Sequence, residues 1–380
     1  MTSQFVNDPR SRTWAQINTD ALRHNLQAIK ASAPDKKVIS VVKADAYGHC
    51  SKIVAPAIED LTDIFMVAEL NEALELRELG IKKDVLIAGF TPCQYAPVLE
   101  EKDIIQCVYS CQYARSLNEN AKNVIRAHIK INTGMDRLGF DPTEINESTL
   151  SELKSLDKLK LEGIFTHYAE SDEPSSRFTR LQTKSFERVV AAFKGSGICF
   201  KYVHSANSAA AMSFSADYTN AVRPGIMLYG CYPSEKIKAL WLKNQNPPLR
   251  PVMSLFSRIV QLRSPKEGES VGYNRRFFAK KDTGIAVICA GYADGLPRLL
   301  AYPESCRVID EKTRLVGSVC MDMCFADVSD VDKDLAMGDA VELFGEGISV
   351  EEWAKAARTI SYEILCRITK RVPRIEVKDK

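Results

Sequence analysis

Val38-Ile39-Ser40-Val41-Val42-Lys43-Ala44-Asp45-Ala46-Tyr47-Gly48-His49 decides how this chain is read. Its first half is apolar and β-branched, the composition of a strand buried on both faces of a parallel sheet. The run 38–43 then delivers a lysine at its carboxyl end. An isolated ammonium is costly in such a place. Desolvation lowers the lysine pKa, and the neutral amine can condense with an aldehyde to a carbon–nitrogen double bond. Lys43 alone reads better as a strand-end lysine with a buried stem and a hydrated head. Tyr47 and later motifs decide between the two.

Outward from this segment, short apolar strands alternate with helical patterns. The strands predicted are 38–43, 63–67, 84–88, 105–109, 126–132, 161–168, 202–205 and 221–229, with amphipathic stretches such as 69–79 and 178–193 between them. Eight strands with helical crossovers are what an α/β TIM (β/α)8 barrel requires. The proline-containing stretch 244–251 reads as a linker. Beyond it, strands at 252–262, 284–290, 307–308, 314–319, 325–328 and 340–344 follow one another without helices, the pattern of a mainly β domain. One helix is signalled there. Ser349 can cap it with Glu352 completing a capping box, and Trp353, Ala356 and Ala357 form an apolar stripe. The expected division is a barrel domain over 1–243 and a mainly β domain over 244–380, with the first residues free to pack on the second domain.

Composition bounds the function class. The chain has 380 residues, too many for one ordinary core. Lys plus Arg exceed Asp plus Glu by 51 − 49, or 2, so charge gives no support for a nucleic acid or anionic membrane partner. The Cx3C spacings Cys107/Cys111 and Cys320/Cys324 lack histidine partners at zinc-site distances, so no metal is expected. The eleven cysteines read as reduced thiols, several inside apolar strands. The N-terminus has no apolar signal region, and no apolar run approaches the ~20 residues that cross a bilayer. A cytoplasmic location follows as an expectation.

Barrel active sites lie at the carboxyl ends of the strands, which makes Lys43, Arg137, His167, Ser208 and Arg223 the polar candidates. Val41-Val42-Lys43-Ala44-Asp45-Ala46-Tyr47-Gly48-His49 resembles, nearly letter for letter, the cofactor-lysine motif of the alanine racemases, which use pyridoxal phosphate. The resemblance runs along almost the whole chain and implies a fold-type III pyridoxal phosphate enzyme. It would interconvert L- and D-alanine as a homodimer with shared active sites.

The resemblance also assigns roles. Arg223, in Arg223-Pro224-Gly225-Ile226-Met227-Leu228-Tyr229-Gly230, would meet the pyridine nitrogen of the cofactor. An arginine does not surrender its proton, so that nitrogen stays unprotonated and the ring is a weaker electron sink, suited to simple proton exchange. His167 would pack against Arg223 and orient it. The phosphate would be held by Tyr47, Ser208, the N–H groups of Gly225 and Ile226, and Tyr362. Arg137 would contact the phenolic oxygen and lie near the substrate carboxylate. Tyr273, in Val271-Gly272-Tyr273-Asn274, is similar to the catalytic tyrosine that enters from the partner subunit. Lys43 would serve the D-enantiomer as base, and Tyr273 the L-enantiomer. Met321 would offer its N–H to the substrate carboxylate and Tyr292 would gate the entrance. Asp294 and Asp322 read equally as turn residues.

The chain departs from the family pattern at Asn132, Cys50, Asn274 and Gly272. None of these removes a catalytic group, but the last two flank Tyr273 and bear on substrate preference. The alternation of strand 126–132 turns Lys130 into the barrel near Arg137. Two cations there need an anion, either a carbamate on Lys130 (known in some relatives), a trapped chloride, or a neighbouring carboxylate. Rival readings are a racemase of serine or a basic amino acid, a decarboxylase on the related barrel, and a cofactor-binding protein without turnover. Arg223 and the absence of a glycine-rich phosphate loop weigh against the decarboxylase. Tyr273 and the long second domain weigh against the third.

Overall fold

The structure, a computed structural model, describes residue 10 and residues 12–379, apart from 215, 299, 301–305, 309, 310 and 333; for 306–308, 311 and 312 it describes the backbone alone. The first strand, β1 (Trp14–Asn18), stands outside the barrel. The barrel is closed by β2 (Lys37–Val41), β3 (Ile64–Val67), β4 (Asp84–Ile87), β5 (Ile104–Val108), β6 (Ile125–Lys130), β7 (Leu159–Phe165), β8 (Tyr202–Ala206) and β9 (Ala221–Val222), all parallel and in chain order. Closure rests on two register pairs, Lys37 with Ala221 and Val38 with Val222.

Helices cover the barrel because each carries one apolar stripe. In Arg177–Gly195 the side chains of Phe186, Val189 and Phe193 share a face and are buried. Ser176 starts this helix by accepting from the Thr179 N–H. Burying each large side chain contributes about 1.5–3 kcal/mol. The barrel interior is not wholly apolar. Gln106, His128, Lys130 and His204 are buried on β5, β6 and β8.

Several strands end earlier than the sequence suggests, and three of the early stops bear on the site. The strand expected at 221–229 is only Ala221–Val222, because Pro224 has no N–H for a ladder and Ile226–Tyr229 turns into a 3-10 helix. β7 stops at Phe165, so His167 lies beyond the strand in which it was expected. β2 stops at Val41, and Lys43 opens a tight turn instead of ending the strand.

The second domain is built on β10 (Met253–Arg263), β11 (Ser270–Val271), β12 (Phe277–Phe278), β13 (Ile285–Ile288), β14 (Cys306–Val308), β15 (Glu311–Val316), β16 (Cys324–Asp327), β17 (Ala340–Phe344) and β18 (Arg374–Val377). Except for the β11–β12 pair, they join β1 in one eight-stranded sheet of order β13-β16-β15-β14-β17-β10-β1-β18. β1 runs antiparallel to β10 and parallel to β18. The fold is thus a TIM barrel followed by a mainly β domain. For residues 1–9 and 11, the expectation that the first residues pack on that domain lies outside the described residues.

The signalled helix is Val350–Ala356, and Ser349 Oγ accepts from the Glu352 N–H at 3.3 Å. Its buried side is Val350, Trp353 and Ala354; Ala356 and Ala357 are half-buried, a shift of the expected stripe by one position. Among the described residues no helix is long and apolar enough to cross a membrane, and no cluster of three side chains fit for a metal is found.

Candidate active site

Lys43 owes its position to an unusual turn. Ala44, Asp45, Ala46 and Tyr47 have φ of 54°, 51°, 54° and 55°, four successive left-handed residues. Each costs about 1–2 kcal/mol for an L-residue, so the surroundings must hold them. Glu72 accepts from the N–H groups of both Ala44 (2.6 Å) and Ala68 (2.7 Å). Asp45 accepts from the Ser51 N–H at 2.7 Å. Gly48 closes the turn at φ 80°, with its missing Cβ only 2.3 Å from the Leu365 carbonyl oxygen. Burial, and next the charge of Arg137, hold the Lys43 amine below the ordinary lysine pKa, against Glu72 and Cys366. No sequence signal announces this turn, because alanines are poor residues for it.

The turn points Tyr47 at the segment after β9. The Tyr47 hydroxyl lies 2.6 Å from where a Gly225 Cβ would be, and Ser208 Oγ 3.8 Å from the same point. Ser208 Oγ also accepts from the Gly225 N–H at 2.9 Å. Tyr362, from the helix Ser361–Arg367, brings its ring to 5.9 Å from that of Tyr47. The Tyr47 and Ser208 hydroxyls, with the Tyr362 ring packed on Tyr47, and the start of the 3-10 turn at Ile226 therefore surround a spot that only glycine leaves open. Burial pushes the Tyr47 and Tyr362 phenols above their ordinary pKa, so they are neutral donors. Neutral hydroxyls and N–H groups are a donor set for a phosphate dianion.

Arg223 is buried beside this cradle. Its Nη2 donates to the carbonyls of Thr166 (2.7 Å) and Ser205 (3.0 Å) and lies 3.3 Å from His167 Nδ1. Its Nη1 lies 3.0 Å from His204 Nδ1. Burial lowers its pKa to about 10, which leaves it a cation at neutral pH. His167 is held well below its usual pKa by burial and then by Arg223, so it is neutral. Phe165, which sequence reading did not select, is the platform of this group. It stacks on His204 at 4.8 Å and carries the Lys130 ammonium 4.5 Å and the Arg223 guanidinium 5.5 Å from its ring centre. Lys130 has no carboxylate within salt-bridge distance among the described residues. Burial, then Arg223, pushes its pKa down to about 7. Arg137 is exposed on the loop after β6, close enough to depress Lys43, Lys130 and His167.

Lys43, Tyr47, Lys130, Arg137, His167, Ser208, Arg223, Gly225, Ile226 and Tyr362 thus converge at one end of the barrel. Tyr273, Met321 and Tyr292 do not join them. No hydrogen bond or ring contact among the described residues links them to that group, and they are 65%, 54% and 38% exposed on the second domain. Tyr292 and Met321 lie on one rigid loop pair, since the Tyr292 and Ala293 N–H groups donate to the Cys320 and Met321 carbonyls at 3.0 Å. Asp294, open between turn and site in the sequence, is the fully buried anchor of that loop. It takes Arg12 at 2.7 Å, Arg371 at 3.0 Å and the Gly291 N–H at 2.8 Å. Arg12 lies far away in the chain, so no local pattern could have shown the pairing.

Comparison with known proteins gives this arrangement its context. Residues 17–233 match the family model described as "Alanine racemase, N-terminal domain", and residues 252–376 match "Alanine racemase, C-terminal domain". The chain belongs to the alanine racemase family. An alanine racemase of Clostridium tetani is 39% identical over 376 residues, covering 96% of this chain and 95% of that protein. One of Desulforamulus reducens is 38% identical, with 96% and 98% covered. Among solved structures, alanine racemase of Clostridium difficile 630 superposes with a TM-score of 0.90 at 37% identity, covering 97% and 96% of the two chains. Alanine racemase of Bacillus anthracis with bound L-Ala-P gives 0.88 at 32% identity, covering 97% and 95%. Alanine racemases depend on pyridoxal phosphate, and the likenesses favour racemisation of alanine over the decarboxylase and carrier readings.

The residues present fit that cofactor. The Gly225 opening, with its ring of hydroxyl donors, suits a phosphate. A buried arginine, permanently a donor, suits an unprotonated ring nitrogen. A half-buried amine of lowered pKa suits an aldehyde.

Proposed function

We propose that this chain is a pyridoxal phosphate-dependent alanine racemase that works by a two-base mechanism. The observation that carries the reading is the convergence of Lys43, the Gly225 cradle and Arg223 at one barrel mouth in a chain of this family. When bound, the cofactor supplies an aldehyde and an electron-accepting ring that make the α-hydrogen of an amino acid labile.

The roles of the chain's own groups follow from their chemistry. Tyr47, Ser208, Gly225, Ile226 and Tyr362 would bind the phosphate. Arg223, steadied by His167, would donate to the ring nitrogen and keep it unprotonated. Arg137 would meet the phenolic oxygen and attract the substrate carboxylate, assisted by the Met321 N–H. The Lys43 amine, its pKa lowered by burial, would move the α-proton on one face. The opposite face needs a second base, and Tyr273 is the candidate. In one chain that phenol stands in solvent. A homodimer in which Tyr273 of the partner subunit reaches the barrel mouth, with Met321 and Tyr292 beside it, would both complete the site and cover these exposed side chains. With carbon dioxide, the partly neutral Lys130 amine would form a carbamate and release a proton, placing an anion between Arg137 and Arg223; a chloride is the alternative occupant.

The test is made on purified protein with added cofactor. The expected results are a visible absorbance band abolished by borohydride, with the label on Lys43, conversion of L- to D-alanine faster than of other amino acids, and a dimer by light scattering. A colourless protein indifferent to the cofactor would refute the reading, and a better substrate than alanine would correct its specificity.

A further inference from the structure

Behind Arg223 the barrel interior holds two imidazoles whose protons have only one arrangement. Arg223 Nη1 is 3.0 Å from Nδ1 of His204, and His204 Nε2 is 3.0 Å from Nδ1 of His128. Both histidines are fully buried. A guanidinium can only donate. His204 Nδ1 therefore carries a lone pair, and the proton of the neutral ring sits on Nε2. That N–H donates to His128 Nδ1, which leaves the His128 proton on its own Nε2. The His128 Nε2 is buried and has no hydrogen-bond partner among the described residues. Every bond in the row points away from Arg223 and ends in an unsatisfied N–H.

The row has no room for another proton. A second proton on His204 would aim an N–H at the guanidinium, and one on His128 would set two donors face to face. Burial, followed by Arg223 for His204, holds both rings far below the usual histidine pKa; for His128 the value is about 3.

The chain makes space for the last ring at some expense. Gly163 sits inside β7, where glycine is less favourable than alanine. Its φ is not in the left-handed region, so backbone freedom does not explain it. A Cβ there would lie 2.6 Å from three atoms of the His128 ring. Register between β6 and β7 also shifts at Ala127/His128. On the other side, Phe165 stacks on His204 with 8° between the planes. Both rings are clamped.

We propose that His128 is a positioning residue for Arg223: as a fixed acceptor it satisfies the Nε2–H that Arg223 imposes on His204 and holds that ring in place, and the Nδ1 lone pair of the held ring then fixes the plane of the guanidinium. Without that acceptor, the His204 N–H is buried with no partner and the ring turns to find one. A turned ring takes its lone pair off Nη1 and lets the guanidinium swing away from the ring nitrogen. The inference rests on the reading of Arg223 given above.

The chain has five histidines, which makes nitrogen-15 imidazole spectroscopy of the cofactor-loaded enzyme tractable. The expected spectrum has protonated Nε2 and bare Nδ1 for both His204 and His128. His128→Leu should leave the His204 Nε2–H without its partner and move the His204 imidazole shifts, shift the visible band and lower kcat by about ten- to a hundredfold with KM little changed. His128→Asn, whose amide oxygen can stand in for Nδ1, should restore the His204 shifts, the band and most of kcat. A doubly protonated or Nδ1–H His204 in the wild type would overturn the inference, as would an unchanged spectrum and rate in His128→Leu. If His128→Leu does not fold, the wild-type spectrum and His128→Asn decide. A wild type that shows the proton arrangement yet neither binds cofactor nor racemises alanine would instead overturn the reading of the site.

Discussion

The hydroxyl of Tyr47 stands 2.6 Å from the point that a β-carbon on Gly225 would occupy. The two residues come from opposite ends of the barrel domain, and they meet because β2 and β9 are neighbours at the closure. Gly225→Ala should therefore displace the Tyr47 hydroxyl without emptying the core. The expected outcome is cofactor affinity weaker by at least about tenfold, or ~1.4 kcal/mol, with circular dichroism unchanged. Absorbance titration with pyridoxal phosphate checks it, and wild-type affinity in the variant would show that the opening has no part in binding.

Tyr273→Phe removes one hydroxyl from an exposed loop that contributes nothing to the core. Racemisation should fall by about 10²–10⁴-fold, the usual worth of a general acid–base group. The visible band, phosphate affinity and oligomeric state should not move. Polarimetry of both enantiomers is the measurement, and full activity would remove the phenol from the mechanism.

Glu72 ties the left-handed turn to the end of β3 through the Ala44 and Ala68 N–H groups. Glu72→Gln keeps one acceptor and loses the charge, and should destabilise the protein by about 1–2 kcal/mol. The same change removes a charge that raises the Lys43 pKa. The amine should therefore ionise less, and the basic change in the spectrum should appear at lower pH. Denaturant unfolding and a spectral pH titration test the two halves separately.

Lys130 gives a pH prediction. Its folded pKa of about 7 lies below the unfolded value of 10.5. Between these limits the unfolded chain binds one more proton, so stability rises with pH across the window and is lost as pH falls toward 7. Lys130→Met should flatten the rise by ~1 kcal/mol per pH unit. Unfolding at several pH values in buffer purged of carbon dioxide measures the slope. Equal slopes for the two proteins would mean that Lys130 does not titrate as a free amine.

The sequence reading reached the barrel, the second domain and the residues that gather at the barrel mouth, because buried parallel strands write themselves as β-branched runs and the motifs sit at their ends. It failed where those strands stop. Val42-Lys43 reads as more strand, yet Ala44–Tyr47 turn left-handed, held by Glu72 from another helix. Ala221–Tyr229 reads as one long strand, yet Pro224 ends the ladder after two residues. The network behind the site was less legible still. His128 alternates with isoleucine as any inward residue would, and only the distances to His204 and Gly163 reveal what it does. Asp294 stayed open between turn and site because its partners Arg12 and Arg371 are remote in the chain.

The pairing of β1 with β10 and β18 has a bearing on biosynthesis. The strand Trp14–Asn18 leaves the ribosome early, but its first partner, Met253, is translated 253 − 18, or 235, residues later. At roughly 5–20 residues per second this is a wait on the order of ten seconds or more. Throughout it, an apolar edge has nothing to pair with. The barrel can assemble in the meantime, so slower translation lengthens the time for which this strand stays open to chaperone capture or misplaced pairing.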